Sequence, residues 1–302
     1  MRVVSVLPSA TEIVCALGHE SELVGRSAEC DYPASVRRLP VVMRPKTFDA
    51  DRPSAEIDRR VQDVRDRHES LYELDVDLLR RLEPDLILTQ DLCGVCSVTD
   101  AEVAAACARA DVAPRIVSLT PRSLGQVWES VFAVGSALDD GPAGRQLAAR
   151  LRERTRAGPR PSSPACVAVV EWLDPPILAG LWAAEMVRAS GAQSLGPARG
   201  RPGDRTDWAS IGASAPDLIV LSPCSFSVDR TRRELAAESL RAAISELRPP
   251  RGIYLADEAY FSRPGPRLAD GVDLLRHLLG GTEWTPPMPY APLAAGPSEV
   301  PA

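Results

Sequence analysis

Four cysteines follow the ends of predicted strands and could bind a metal ion together. Cys93 and Cys96 form a C-x-x-C pair, and Cys30 and Cys224 each come shortly after another apolar run. A C-x-x-C pair lets two thiolates reach one metal from a single turn, and two further thiolates complete a tetrahedral set. Because thiolates suit zinc and iron–sulfur clusters equally, the pattern predicts a zinc or iron–sulfur site without choosing between them. Independent loop thiols are the alternative.

Other reactive residue types give weaker signals. A thioredoxin-type role for Cys93 and Cys96 requires a particular helix N-terminus, and the flanking sequence does not match that unit. The histidines are spread along the chain, at His19, His68 and His277. The sequence contains no G-x-S-x-G elbow, P-loop or dinucleotide glycine fingerprint. A binding protein is therefore favoured over an enzyme.

Aromatic and charged residues gather in the loops that follow the predicted strands, where open parallel sheets bind their ligands. The aromatic residues could line a pocket for a flat or macrocyclic ligand, or else pack beneath the loops. Arg263 and Arg267 could bind a ligand carboxylate or phosphate, or pair with nearby acids. Ser9 or Thr11 could instead cap the first helix. The predicted ligand-binding residues are Ser9, Thr11, Tyr32, Glu171, Trp172, Trp182, Phe226, Tyr260, Arg263 and Arg267.

Short apolar runs alternate with helical patterns along the chain. The predicted strands are Val3–Leu7, Leu23–Arg26, Leu86–Thr89, Ile116–Leu119, Val167–Val170, Leu218–Leu221 and Ile253–Ala256. The predicted helices between them include Thr11–Leu17, Val76–Leu82, Asp100–Ala110 and Ala184–Ser190. Strands that alternate with helices predict parallel sheets covered on both faces.

The two halves of the chain repeat one phrase, since Glu83–Thr89 is echoed by Ala215–Leu221. A duplicated lobe predicts a ligand cleft between two similar lobes. The stretch between the halves has helical periodicity with an interruption near Gly141-Pro142, which predicts a long connecting helix with one break. The predicted organisation is an N-terminal α/β lobe at 1–122, a connecting helix at 123–158, a C-terminal α/β lobe at 159–285 and a poorly ordered tail at 286–302.

Composition and charge narrow the function classes. The formal net charge is -6 and the pI is about 5.3, which argues against a nucleic-acid-binding surface. No window approaches the length of a transmembrane helix. The first strand follows directly on Met1-Arg2 without an export signal, so the sequence predicts a cytoplasmic protein with reduced cysteines.

The opening segment Arg2–Ile13 resembles the start of periplasmic binding proteins for cobalamin and iron-siderophores. The duplicated Pro-Asp-Leu-Ile phrase and the long middle helix extend the resemblance over roughly residues 1–280. It implies two parallel-sheet α/β lobes joined by a long α-helix, a ligand in the cleft between them and an ABC importer as partner. The implied ligand is cobalamin, a related corrinoid or another metal chelate.

Three phrases resemble a narrower branch, described as cobalamin-binding by similarity: Glu29–Pro33, Thr89–Cys96 and Ser262–Arg267. We therefore predict a cleft-type binding protein for a corrinoid or metal chelate. The alternative is a cytoplasmic metalloprotein, either an enzyme or a metal carrier, that uses the four cysteines. A third reading is an importer-associated receptor whose true translation start lies elsewhere.

Overall fold

The chain folds into two compact α/β units in a computed structural model that describes residues 1–46, 52–67, 70–90, 98–158, 162–280 and 284–293. Unit 1 comprises Met1–Ala50, Arg59–Glu153 and Pro264–Pro266. Unit 2 comprises Asp51–Asp58, Arg154–Arg263 and Arg267–Ala302. The predicted α/β class, with one sheet in each half, is confirmed.

Unit 1 contains a six-stranded sheet in the order β4-β3-β2-β1-β5-β6. Its strands are β1 (Val3–Ser5), β2 (Leu23–Ser27), β3 (Val41–Pro45), β4 (Tyr72–Leu74), β5 (Leu86–Thr89) and β6 (Arg115–Ser118). The helices of this half are α1 (Pro8–Ala16), α2 (Ser54–Asp66), α3 (Val76–Leu82), α4 (Asp100–Ala110), α5 (Leu124–Ala137) and α6 (Gly141–Arg154). Neighbouring strands are parallel except β3 and β4.

Unit 2 contains a seven-stranded sheet in the order β10-β8-β7-β11-β12-β13, with β9 beside β7. Its strands are β7 (Cys166–Leu173), β8 (Pro176–Leu178), β9 (Gln193–Ser194), β10 (Asp204–Arg205), β11 (Leu218–Leu221), β12 (Ile253–Ala256) and β13 (Tyr290–Pro292). Its helices are α7 (Ala183–Ala189), α8 (Trp208–Ala213), α9 (Val228–Glu234), α10 (Glu238–Ser245) and α11 (Leu268–Leu278). The predicted parallel pairing is present among the central strands of both sheets, whereas the pairs β3–β4, β7–β8, β8–β10 and β12–β13 are antiparallel.

The central strands are apolar on both faces because helices cover each sheet. In unit 1, Val4 and Ile87 are at most 1% exposed, and Val103 of α4 packs in the same cluster. In unit 2, Val170 and Leu221 are fully buried with residues of α8, α9 and α10. Continuous apolar runs are typical of parallel strands buried in this way.

The repeated Pro-Asp phrase has the same structural role in both units. In unit 1, the Asp85 carboxylate accepts a hydrogen bond from Arg2 N (2.6 Å), and Asp85 N donates to Arg2 O (2.8 Å). In unit 2, Asp217 makes the same pair with Cys166, at 2.7 and 2.8 Å. We call this arrangement the Pro-Asp clasp. It joins the beginning of the central strand of each sheet to the beginning of its neighbour.

The first turn of α2 belongs to unit 2 because a buried carboxylate holds it there. The Glu234 carboxylate accepts hydrogen bonds from Ser54 N (2.7 Å) and Ser54 Oγ (2.6 Å), and it also pairs with Arg230 (2.8 Å). Arg205 pairs with Asp58 one turn further along α2. These contacts explain why residues 51–58 group with the second half of the chain.

Two further features concern the connection between the halves and the C-terminal tail. The break predicted near Gly141-Pro142 is present, since α5 ends at Ala137 and α6 begins at Gly141. A Cβ on Gly135 would lie 2.7 Å from Gly144 Cα, so the two helices pack backbone to backbone at these glycines. The tail was predicted to be poorly ordered from residue 286, but Tyr290–Pro292 pairs with β12. That prediction is wrong for the strand.

Candidate functional site

The carboxyl ends of β7, β11 and β12 in unit 2 bring a thiol, two carboxylates and a guanidinium together. Cys224 N donates to Glu171 O (3.0 Å), which joins the two strand ends. Glu258 accepts from Ser225 N (2.7 Å) through one carboxylate oxygen and from Arg263 Nε (2.9 Å) through the other. The sequence predicted this edge as the ligand side, and it predicted Glu171, Arg263 and Cys224 as site residues.

Burial controls the protonation of this group. Burial, together with the charges of Glu258 and Glu171, raises the pKa of the Cys224 thiol to about 12. Burial also raises the pKa of Glu258 above its ordinary value, although Arg263 opposes the shift. Cys224 is therefore a neutral thiol at physiological pH, whereas a nucleophile or metal ligand must be a thiolate.

An aromatic pair lies beside the acidic group. The rings of Trp172 and Phe226 are 5.5 Å apart, and the guanidinium of Arg230 lies 4.4 Å from the Phe226 centroid. Phe226 is buried and Trp172 is partly exposed. Within the described part of the chain, the indole Nε1–H of Trp172 is buried and has no hydrogen-bond acceptor. Such a donor is costly to leave unpaired.

Trp182 and Tyr260 pack beneath the loops in unit 2. The indole Nε1 of Trp182 donates to Phe261 O (2.7 Å), and the Tyr260 hydroxyl donates to Met288 O (2.6 Å). Trp182 is 5% exposed and Tyr260 is fully buried. The structure therefore places both residues as the packing alternative describes, with their polar atoms already paired.

A glycine loop makes room for the Glu171 carboxylate. A Cβ on Gly203 would lie 2.1 Å from Glu171 Oε1 and 2.9 Å from Leu178 O. Gly180 N donates to Glu171 Oε2 at 3.4 Å. A Cβ on Gly180 would also collide with the backbone of the loop that contains Gly203. The position of this acid thus depends on two residues without side chains.

In unit 1, the corresponding edge is closed by hydrogen bonds. Thr11 Oγ1 donates to Ser5 Oγ (2.9 Å) and lies 3.0 Å from Cys30 Sγ, and all three residues are fully buried. Ser9 is 2% exposed and lies next to Gly265 of the Pro-Gly-Pro turn. Neither Ser9 nor Thr11 caps α1. That prediction is wrong because Pro8 begins the helix and Leu7 is its N-cap, without a side-chain hydrogen bond.

Four predicted residues remain to be placed, which are Tyr32, Arg267, Cys93 and Cys96. Tyr32 is 49% exposed in unit 1. Arg267 lies in unit 2, where its Nη1 contacts Met288 Sδ (3.3 Å). Cys93 and Cys96 lie outside the described residues. Among the described residues, no three His, Cys, Asp or Glu side chains are grouped so that they could hold a metal ion.

Sequence reasoning did not single out Glu258, Thr89 or Ser118. Glu258 links Ser225 to Arg263 through its two carboxylate oxygens. Thr89 and Ser118 lie opposite each other at the ends of β5 and β6, each with a buried hydroxyl that has no partner in the described part. Their positions as the last residues of apolar strands were the available signal.

The comparisons with known proteins bear on the fold. No family model and no curated protein matches the chain. Among solved structures, a periplasmic heme-binding protein from Pseudomonas aeruginosa has a TM-score of 0.69 at 17% identity, over 95% of this chain and 96% of the other. The heme-binding protein HutB of Vibrio cholerae has a TM-score of 0.65 at 18% identity, over 93% and 99%.

The periplasmic vitamin B12-binding protein BtuF of Vibrio cholerae has a TM-score of 0.61 at 18% identity, over 92% of this chain and 96% of the other. The chain thus has the fold of the two-lobed α/β substrate-binding proteins. The resemblance to cobalamin and iron-siderophore binding proteins is confirmed at the level of this fold. No helix in the described ranges is both long and apolar enough to span a membrane.

Proposed function

We propose that the chain reversibly binds a metal chelate, and that a corrinoid is the preferred ligand. The observation that carries this proposal is the fold, which the chain shares over nearly its whole length with binding proteins for heme and vitamin B12. At the edge of unit 2, Arg263 pairs with Glu258, as the alternative prediction for this arginine describes.

Trp172 is the side chain that best supports a ligand at the edge of unit 2. Its ring is partly exposed, and its buried N–H has no acceptor within the described ranges. A corrinoid carries amide oxygens around its ring. An oxygen that reaches Trp172 Nε1 would pair a donor that otherwise costs about 1–3 kcal/mol. The aromatic face would also cover part of a flat macrocycle.

The choice of a corrinoid over haem follows from the side chains that could ligate iron. Haem iron is usually held by His, Cys, Met or Tyr. Of the described histidines, His19 pairs with Glu22 and Asp140, and His277 pairs with Tyr290. Neither follows a strand at the ligand edge. Tyr32 is the exposed candidate, so a tyrosine-ligated haem is the chelate that must be tested against the corrinoid.

Equilibrium titration with cyanocobalamin and with hemin tests the proposal. We expect saturable binding of cyanocobalamin, weakened at least tenfold by Trp172→Phe. Trp208→Phe is the matched control. The indole N–H of Trp208 is also buried and has no acceptor among the described residues, but it lies at the other end of the same sheet. Hemin binding that depends on Tyr32 would instead identify haem as the preferred ligand. Absence of binding to either compound at high micromolar concentration would refute the proposal.

The cysteine-based metalloprotein stays the alternative prediction. It requires Cys30 and Cys224 as thiolates, but Cys30 lies buried against the Thr11 hydroxyl and the pKa of Cys224 is raised. Metal analysis and absorption spectra of protein purified without oxygen would test it, with a Cys93→Ser, Cys96→Ser variant as the control. An ABC importer as partner and a cytoplasmic location likewise remain proposals, checked by co-purification with membrane proteins and by cell fractionation.

A further inference from the structure

A second cavity lies in unit 2 at the opposite end of the sheet from Glu171 and Glu258. Its walls come from α8, from the residues before and at the beginning of β11, and from the end of α10 and the residues that follow it. The volume is about 620 Å³, which lies within the range of small-molecule sites. It is lined by Trp208, Ala209, Gly212, Ala215, Pro216, Ile219, Ala243, Glu246, Leu247, Arg248, Pro249 and Pro250.

The lining is apolar and carries two charges of opposite sign. Apart from Glu246 and Arg248, the lining side chains are hydrocarbon or indole, and the prolines and Trp208 offer flat surfaces. Glu246 and Arg248 are exposed, and neither forms an ion pair with any described residue. Arg248 Nη1 donates to Leu247 O (2.9 Å) near the end of α10. The two charges balance, so the cavity does not favour a net-charged ligand.

The geometry points to a second binding site, for a planar, uncharged and largely apolar molecule. Burial of such a molecule against Trp208 and Leu247 removes apolar surface from water, which is the dominant favourable term in binding of this kind. A charged group on the same skeleton would lose its hydration without gaining a net opposite charge. This site is independent of the chelate site proposed above, because it uses none of the same residues.

Two fluorescent probes with one carbon skeleton test the chemistry. N-phenyl-1-naphthylamine is neutral, and 1-anilinonaphthalene-8-sulfonate adds one sulfonate. We expect the neutral probe to bind the full chain at a Kd of about 10 μM, as its size allows, and at least tenfold more tightly than the sulfonate. Absence of saturable binding, or tighter binding of the sulfonate, would overturn the proposal.

Two matched variants locate the binding. Ala209→Phe introduces a ring at an exposed lining position, whereas Ala242→Phe introduces it on the exposed side of α10, away from the lining. We expect Ala209→Phe to weaken the neutral probe at least tenfold and Ala242→Phe to leave it unchanged, with wild-type circular dichroism in both. Equal effects of the two variants would contradict the assignment. Probe binding that appears only after removal of residues 294–302 would also contradict the assignment, because that segment would then be the occupant of the cavity.

Discussion

Loss of the Arg263 charge should destabilise unit 2 in a strongly pH-dependent way. The Arg263 and Glu258 side chains are only 11% and 12% exposed, so their pair is largely removed from water. We propose Arg263→Met as the perturbation, because methionine keeps much of the side-chain length without the charge. Breaking a buried pair leaves one charge uncompensated, which typically costs about 3–5 kcal/mol.

Protonation of Glu258 limits that cost. A carboxyl with an ordinary pKa of 4.5 can be neutralised at pH 7 for about 3.4 kcal/mol, and at pH 5 for about 0.7 kcal/mol. We therefore expect a loss of about 2–3 kcal/mol at pH 7 and under about 1 kcal/mol at pH 5. Because burial raises the folded-state pKa of Glu258, protonation favours the folded state. The stability that the protonated Glu258 contributes is complete below the pKa of this carboxyl in the unfolded chain. It is lost as the pH rises through the pKa of Glu258 in the folded protein.

The loss of free energy of unfolding is measured at both pH values by urea unfolding, monitored by pulsed hydrogen exchange in peptides from residues 253–263. A double-mutant cycle with Glu258→Gln isolates the pair. The double variant should be more stable at pH 7 than Arg263→Met alone, because the uncompensated charge has been removed. Equal losses at pH 5 and pH 7, or strict additivity in the cycle, would refute this account.

Three further predictions concern other parts of the chain. Gly135→Ala should cost about 1–3 kcal/mol, since its Cβ would meet the Gly144 backbone. In the same helix, a Cβ on Gly125 would make only an ordinary contact with Ser123 Oγ at 3.9 Å, so Gly125→Ala should stabilise by about 0.5 kcal/mol; thermal unfolding compares the two. Gly203→Ala should displace the Glu171 carboxylate and weaken cyanocobalamin binding at least tenfold by titration. Glu22 and Asp140 raise the pKa of His19 above its ordinary value of 6.5. Stability should therefore fall as the pH rises from 6.5 through the raised pKa, and Tm values measured for His19→Gln should not show that fall.

The central strands were predictable because their sequence signal is local. Leu86–Thr89, Leu218–Leu221 and Ile253–Ala256 were predicted with the bounds that the structure gives. Each is an apolar run between a Pro- or Gly-containing turn and a polar loop. The edge strand β13 was missed because Tyr290–Pro292 is short and contains proline, and pairing with β12 gives it an extended structure.

The candidate site was predictable in location but not in composition. Parallel topology alone places Glu171, Cys224 and Arg263 at one edge of the sheet. Whether an aromatic ring at that edge faces solvent depends on packing between distant segments. Tyr260, for example, is buried because its hydroxyl reaches Met288 O. The second cavity has no sequence signal, because its wall residues belong to three separate segments.

The Pro-Asp clasp also sets the register of the central strands. Each clasp aligns an aspartate with the start of the neighbouring parallel strand, at Arg2 in unit 1 and Cys166 in unit 2. Because side chains alternate between the faces of a strand, a shift by one residue would turn every side chain to the other face. A residue inserted between Asp217 and Leu218 would shift β11 by one residue and turn its side chains to the other face. A residue inserted before Pro216 would leave the alignment intact. Both units thus use the same aspartate contact to fix the alignment of their central strands.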